Sequence, residues 1–290
     1  MTATIALLGQ PVAHSISPRF QQAALDALGV DARYEPWETP PSGLPAAVER
    51  LRSADLIGAN VTVPHKVAVM RLIDRPDPLA ELVGAVNTIV RRDGLLYATN
   101  TDVTGVLRAL ENAGVDIAGR RVLLIGAGGA ARAVVVAMRQ GGATTLTIAN
   151  RTPEHAEVLV PLGGEQLEVA TTSLDPASAA LRRAMEEAEL VIHSTPLGMR
   201  HGPDEQATPL PTELFRAGQS VMDLVYVPER TPLLEAARRA GARTVGGLAM
   251  LVHQGAESFR LWTGHNPPLD VMFDASRAAL RDAERGSAPP

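Results

Sequence analysis

RVLLIGAGGAARAVVVAMRQGG, residues Arg121–Gly142, is the stretch whose reading decides the fold. An apolar run of β type, Arg121 to Ile125, leads into Gly126-Ala127-Gly128-Gly129-Ala130-Ala131, and a helical pattern follows as far as Gly141-Gly142. Small residues at these positions let backbone approach a pyrophosphate, whose charge is met by the first amides of the helix. A glycine pattern alone also fits a tight turn. The strand before it and the helix after it favour dinucleotide binding, with Ala131 in the third small position. The next strand, TTLTIAN, ends in Asn150-Arg151-Thr152. An NAD enzyme usually carries an acid there for the ribose 2′-hydroxyl. Here no acid repels a 2′-phosphate, and Arg151 can bond to it and stack on adenine, so NADP is the expected cofactor; the alternative is an ordinary surface arginine.

Outward from this unit, short apolar runs alternate with amphipathic helical patterns along almost the whole chain, the pattern of α/β architecture with a largely parallel sheet. Strands are expected near Thr4–Leu8, Arg33–Trp37, Gly58–Val63, Arg121–Ile125, Thr145–Ala149, Leu167–Ala170, Leu190–Ser194, Val221–Val225 and Arg243–Val245. Asp93-Gly94, between two apolar runs, predicts an antiparallel hairpin. The expected organisation is an N-terminal α/β domain over residues 1–104, completed by C-terminal helices over 247–285, and a Rossmann-type doubly wound domain over 105–246.

The chain has 290 residues, 46% of them hydrophobic and 20% charged, enough for about two domains with real cores. That composition excludes wholesale disorder, although Gly286–Pro290 (GSAPP) reads as a frayed tail. A net charge of −5 offers no general attraction to nucleic acid or anionic membranes. With no cysteine there is no disulfide, thiolate nucleophile or Cys-ligated metal. The seven histidines show no H-E-x-x-H or similar spacing, so no metal is expected. No run approaches a membrane span, and MTATIALLGQPVAHS lacks a basic leader, so a cytoplasmic protein is expected.

The basic residues are 26 arginines and one lysine, Lys66. Codon bias explains many arginines. It also leaves Lys66 as a position where charge alone need not suffice, since lysine can exchange a proton and arginine cannot. Lys66 follows the apolar run GANVTVPHK, and ligands collect at the carboxyl ends of parallel strands. Ser17 before Pro18 reads as a helix N-cap, with Phe20, Ala24, Ala27 and Leu28 as the buried stripe. Ser15 and Ser17 equally suit a small carboxylate at a helix start. Asp102 in NTDVTG precedes another helix and, read alone, is one more capping acid.

HSISP (His14–Pro18), NVTVPHK (Asn60–Lys66), GAVNTI (Gly84–Ile89), NTDVTG (Asn100–Gly105), GAGGAARA (Gly126–Ala133), NRT (Asn150–Thr152), STPLGM (Ser194–Met199), DLVYVPERTPLL (Asp223–Leu234) and GGLAMLVHQGAESFRLWTG (Gly246–Gly264) occur in this order over nearly all of the chain. Together they resemble the shikimate dehydrogenase family. The resemblance implies a two-domain enzyme that reduces 3-dehydroshikimate to shikimate with NADPH, in the pathway to aromatic amino acids. Lys66 and Asp102 would be the catalytic pair, Ser15 and Ser17 would hold the substrate carboxylate with Tyr226 nearby, and Thr62, Asn87 and Gln254 would bond to ring hydroxyls. Gly126, Ala127, Gly128, Gly129 and Ala130 would take the pyrophosphate, and Asn150, Arg151 and Thr152 the adenosine phosphate. Thr195, Met199, Leu224 and Gly247 would line the nicotinamide side. The chain departs from the family pattern at Gln21, where many relatives carry His, at His193, where Asn is frequent, and at His155, where a basic residue often follows NRT. His193 reads as a packed strand residue. The expected partners are small molecules, with no nucleic acid or membrane, and a monomer or homodimer. Two other readings stay open: a quinate or dual-specificity dehydrogenase, and a non-catalytic NADP-binding regulator.

Overall fold

The computed structural model describes residues 2–200 and 202–285, so the GSAPP tail lies outside the described residues. The chain divides into two compact units, Met1–Gly105 with Val252–Pro290, and Val106–Leu251. The first division falls inside the helix Asp102–Asn112, after Gly105. The second falls inside a helix rather than at Gly247, where that helix begins.

The first unit runs β1 (Ala3–Gly9), α1 (Ser17–Ala27), β2 (Ala32–Glu38), α2 (Leu44–Arg50), β3 (Leu56–Val61), β4 (Arg75–Pro76), α3 (Pro78–Val83), β5 (Thr88–Arg92), β6 (Leu95–Thr99) and the start of α4 (Asp102–Asn112). Among the described residues these strands form one sheet in the order β2-β1-β3-β5-β6-β4. β1 pairs parallel to both β2 and β3, whereas β5 pairs antiparallel to β3 and β6. The β5–β6 turn is the expected hairpin. Asp93 and Gly94 both take positive φ, 51° and 77°, which is the geometry that matches strand twist in a two-residue loop. Side chains alternate across the sheet. Ala6 and Leu8 of β1 therefore join the core with Leu44, Val48 and Val69, while Ile5 and Leu7 are equally buried on the opposite face.

The second unit continues with β7 (Arg121–Ile125), α5 (Gly129–Gln140), β8 (Thr145–Asn150), α6 (Pro153–Glu157), β9 (Glu168–Ser173), α7 (Ala179–Glu187), β10 (Leu190–His193), β11 (Ser220–Asp223), α8 (Pro232–Arg239), β12 (Arg243–Val245) and the start of α9 (Gly247–Thr263). Its sheet order is β12-β11-β10-β7-β8-β9, with every pairing parallel. Counted from β7 this is the 3-2-1-4-5-6 order of a doubly wound dinucleotide fold, so the expected fold class holds. Leu123, Ile125, Val191 and Val221 pack against α7 and α8, and Ala131, Val134, Val135 and Met138 of α5 are fully buried. β11 stops at Asp223, two residues short of the expected end, because Asp223 Oδ1 accepts the Val225 N–H at 3.0 Å and turns the chain away.

α10 (Leu269–Arg285) and the end of α9 return to the first unit, where α10 packs on α1. Trp262 of α9 donates its indole N–H to Ile89 O at 2.8 Å, and Gly58 makes room for it: a Cβ there would sit 2.2 Å from Ile89 O and 2.6 Å from the indole nitrogen.

Two sequence expectations for α1 need correction. Ser17 does not cap the helix; it is its first residue, Ile16 occupies the cap position in αR geometry, and no side chain caps it. The cause is burial of Ile16, which draws the chain into helical geometry early. The acceptor is instead Ser15 Oγ, which takes the Ser17 N–H at 3.2 Å. The buried stripe is Phe20, Gln21, Ala24 and Leu25, while Ala27 and Leu28 face solvent because the helix ends there.

Arg52, just after α2, forks onto Asp74 at 2.6 and 3.1 Å, and Asp74 also accepts the Leu96 N–H at 2.8 Å. The Arg52 guanidinium, then the Leu96 amide, hold the Asp74 carboxyl below its ordinary value of 3.8. A depressed carboxyl stabilises the fold above its unfolded value, and that contribution fades as pH falls through the folded one. Asp74→Asn is expected to lose up to about 1 kcal/mol at pH 7 and progressively less below pH 3.8, read from denaturant melts at several pH values; a pH-independent loss would contradict the pairing.

Candidate active site

The strands of the first unit end in loops that gather polar side chains. After β3 the chain turns through Thr62, whose N–H donates to Leu8 O at 2.8 Å, and His65, whose buried ring bonds to Thr39 O at 2.7 Å. These anchors fix the backbone on either side of Pro64 and present Lys66. The Lys66 carbonyl in turn accepts the Val86 N–H at 2.7 Å, tying the loop to the approach of β5.

Lys66 Nζ donates to Asp102 Oδ2 at 2.5 Å, with side-chain exposures of 16% and 3%. Asp102 opens α4, yet its carboxylate does not cap that helix. Its other oxygen, Oδ1, accepts from Asn87 Nδ2 at 2.8 Å. The reading of Asp102 as a capping acid is therefore displaced by an ion pair. Asn87 Nδ2 also lies 3.1 Å from Gln254 Oε1, on α9. Asn87 Oδ1 accepts the Thr101 N–H at 2.7 Å and the Thr88 hydroxyl at 3.0 Å. The expected residues Lys66, Asn87, Asp102 and Gln254 are thus brought together by direct contacts.

Behind them lies a layer that sequence reading missed. Asn60 Nδ2 donates to Asn87 O, Thr88 Oγ1 and Ser258 Oγ at 3.0, 3.2 and 3.1 Å, and Tyr34 donates its hydroxyl to Asn60 Oδ1 at 2.7 Å. Thr88, Thr101 and Ser258 are all buried. Threonines and serines on strands and helices look like surface residues in a sequence, and only the buried neighbours Val86, Ile89 and Phe259 hint otherwise. Ser15, Ser17 and Thr62 sit past the carboxyl ends of the neighbouring parallel strands β1 and β3. Ser17 is buried and Ser15 half-buried. Gln21, where the family often carries His, is buried and donates to Gly255 O at 2.9 Å, which joins α1 to α9.

In the second unit Gly126 follows β7 with φ of 106°, and a Cβ there would meet Ser194 Oγ at 2.7 Å and Thr195 Cγ2 at 2.8 Å. Only glycine fits this close approach between the ends of β7 and β10, the point at which strand order reverses. Gly128 occupies the N-cap position of α5 in extended geometry, and a Cβ added to it meets nothing within 4 Å. An open, side-chain-free helix start of this kind suits a pyrophosphate. Ala131, the third small position, is fully buried against the sheet. Arg132, next along the helix, is half-buried, and burial lowers its guanidinium below its ordinary range. Asn150 donates to Thr152 O at 2.8 Å, which shapes the turn after β8 and leaves Arg151 exposed. Thr195, Met199 and Leu224 are each half-buried past the ends of β10 and β11. Gly247 opens α9 where a Cβ would lie 2.5 Å from Leu224 O. Tyr226 belongs to this unit, whereas Ser15 and Ser17 belong to the first. His193 is packed, as expected, and also polar-bonded through both ring nitrogens, to Asp223 and Thr195. Among the described residues no three His, Asp or Glu side chains gather as metal ligands, and no helix is long and apolar enough to cross a membrane.

Three family models match: the shikimate dehydrogenase substrate binding domain over residues 7–89, shikimate / quinate 5-dehydrogenase over 108–198, and the shikimate 5′-dehydrogenase C-terminal domain over 247–275. The chain is 46% identical to the shikimate dehydrogenase (NADP(+)) of Moorella thermoacetica, covering 99% of this chain and 97% of that one. It is 48% identical to that of Symbiobacterium thermophilum, over 95% and 94%. The crystal structure of shikimate 5-dehydrogenase from Thermus thermophilus in complex with NADP(H) and shikimate is similar with a TM-score of 0.86 and 40% identity, covering 96% of this chain and 100% of that one.

Asn87 satisfies Asp102, Gln254, Thr88 and Thr101 at once. Asn87→Ala would strand several buried polar groups, each costing about 1–3 kcal/mol. The expected loss is on the order of 3 kcal/mol, measured by urea unfolding; a loss below about 1 kcal/mol would show that water replaces the amide.

Proposed function

The chain belongs to the shikimate dehydrogenase family, and we propose that Lys66 and Asp102 carry out on it the reversible, NADPH-dependent reduction of 3-dehydroshikimate to shikimate. The observation that carries this reading is the Lys66–Asp102 pair, its carboxylate buried and held by Asn87 at the carboxyl ends of the strands of the first unit. NADPH supplies the hydride. The residues of this chain manage what remains. Reduction of a ketone places negative charge on its oxygen, which needs a proton donor within hydrogen-bond reach. Lys66 Nζ is that donor, and in the oxidation direction the same nitrogen takes the proton back. Asp102 aims the ammonium and balances its charge, and Asn87 keeps the carboxylate from turning. Thr62, Asn87 and Gln254 offer hydroxyl and amide groups to the ring hydroxyls, and Ser15 and Ser17 offer theirs to the carboxylate.

The second unit fits the cofactor. Gly126 to Ala130 provide the cradle for the pyrophosphate: Gly126 permits the close approach to Ser194 and Thr195, and Gly128 leaves the helix start open. Asn150, Arg151 and Thr152 hold the adenosine 2′-phosphate, and Thr195, Met199, Leu224 and Gly247 line the nicotinamide side. The reading carries a cytoplasmic setting with it, supported by the biosynthetic class of the reaction.

Lys66→Arg tests the pair. A guanidinium gives up no proton, and its planar fork is misshapen for the point contact that Lys66 makes with Asp102 Oδ2. We expect kcat to fall by roughly 10²–10⁴ while the KM for shikimate changes much less. Asp102→Asn should also lower kcat, and the double variant should lose less than the product of the single losses. Near wild-type kcat in Lys66→Arg would remove the catalytic role.

Arg151→Ala tests the cofactor assignment. Loss of one charge-assisted phosphate contact, about 1.5–3 kcal/mol, should raise the KM for NADP by roughly 10- to 100-fold and leave NAD use unchanged. Equal shifts with both cofactors would show that Arg151 does not read the phosphate.

A further inference from the structure

A row of buried polar groups crosses the strand ends of the second unit. Asp223, the last residue of β11, is fully buried and accepts at both oxygens: Oδ1 from the Val225 N–H at 3.0 Å and Oδ2 from the Thr231 hydroxyl at 2.6 Å. His193, its register partner at the end of β10, is also fully buried. Its Nδ1 lies 2.9 Å from Asp223 Oδ1 and its Nε2 lies 2.5 Å from Thr195 Oγ1. A carboxylate can only accept, so Nδ1 carries the ring hydrogen. An imidazole with one proton, on Nδ1, accepts at Nε2, and the Thr195 hydroxyl then points its hydrogen at the ring. One lone pair of Thr195 Oγ1 faces the Leu197 N–H at 3.3 Å. The other is left to accept. Thr195 itself lies against Gly126 of the glycine loop and is only half-buried.

We propose that His193 is a positioning residue for the cofactor: anchored by Asp223, it holds the Thr195 hydroxyl hydrogen inward, so that Thr195 presents an acceptor to an N–H or O–H donor on the nicotinamide nucleoside. This rests on the placement of Thr195 on the nicotinamide side made above. An acceptor-only oxygen selects an amide N–H or a ribose hydroxyl and disfavours a phosphate oxygen, which itself accepts. Nothing in the arrangement asks His193 to touch substrate or cofactor; it acts through Thr195.

The test compares binding of NADP with binding of adenosine 2′,5′-bisphosphate, which carries the adenosine half alone. His193→Asn retains a donor for Asp223 and loses the reach to Thr195. It should weaken NADP by roughly three- to tenfold, one neutral hydrogen bond, and leave the bisphosphate unchanged. His193→Gln, whose amide reaches the place of Nε2, should recover part of the loss. Thr195→Val should match His193→Asn, and the double variant should be no weaker than Thr195→Val alone. Weakening of both ligands alike in His193→Asn would mean that His193 only supports the fold, and independent losses in the double variant would mean that it does not act through Thr195; either result overturns the proposal. A silent Thr195→Val would remove Thr195 from the nicotinamide side, and the proposal with it. An effect of Thr195→Val beside a silent His193→Asn would sink the proposal and leave that placement standing. The 3-acetylpyridine analogue of NADP, which lacks the amide N–H, separates the two donors: a Thr195→Val effect that disappears with the analogue identifies the amide, and one that persists identifies the ribose hydroxyl.

Discussion

A carboxylate removed from water sets the terms for the first unit. Asp102 keeps 3% of its side chain exposed, and a buried charge costs several kcal/mol unless both of its oxygens find partners. One partner is Lys66, which must then be held at the end of a loop rather than left to wave in solvent. The other is Asn87, whose amide must present its N–H side to Asp102 and its oxygen elsewhere. That second demand propagates. Asn87 Oδ1 needs donors, supplied by Thr101 and Thr88; Thr88 meets Ser258 at 2.8 Å; and Asn60 draws Ser258 and Tyr34 into the same layer. Helix α9 is thereby fixed to strands β3 and β5 by polar contacts as well as by Trp262 on Gly58. The arrangement orients one ammonium, and its cost is offset only because the whole layer is satisfied together.

The second unit solves a different problem with a similar device. In its doubly wound sheet the connections leaving β7 and β10 part at the point where strand order reverses, which opens room for a ligand. Backbone must approach closely there, and Gly126 permits it, with Ser194 and Thr195 filling the space a side chain would need. Asp223 is the buried carboxylate of this unit, and it too is fully partnered, by Val225, Thr231 and His193. In both units, then, a buried acid at a strand or helix end organises the loops that follow.

Much of this was legible in the sequence, for reasons that differ by element. The strands Arg121–Ile125 and Arg243–Val245 stand where their apolar runs lie, because buried parallel strands read as short continuous hydrophobic stretches bounded by turn residues. The Asp93-Gly94 hairpin followed from turn chemistry alone. Lys66, Asp102, Asn87 and Gln254 were each nameable from the motif resemblance, but their mutual contacts were not, since no local pattern says that residues 66, 87, 102 and 254 meet. Ser17 was misread because capping rules weigh the side chain, whereas the burial of Ile16 decided where the helix began. Thr88, Thr101 and Ser258 were invisible: a polar residue becomes a core residue only when others of its kind converge on it in space. His193 was read correctly as packed, and its bond to Thr195 depends on the register of β10 with β11, which emerges only on folding.

The solitary lysine has a physical explanation in the contrast between two ion pairs of this one chain. Asp74 turns both oxygens toward Arg52, and the planar guanidinium answers with two contacts at 2.6 and 3.1 Å. Asp102 divides its oxygens between two partners, Oδ2 for Lys66 and Oδ1 for the Asn87 amide. An arginine there would bring five donors in a rigid fork to a site built around one short contact, and each donor left buried without an acceptor costs about 1–3 kcal/mol. An ammonium is a compact donor that can give one hydrogen to Asp102 and keep two for whatever oxygen lies beyond. Composition that drifts freely between the two cations would favour arginine at every site shaped like Asp74. It would stop at the site shaped like Asp102, where geometry, before any chemistry, asks for a point charge.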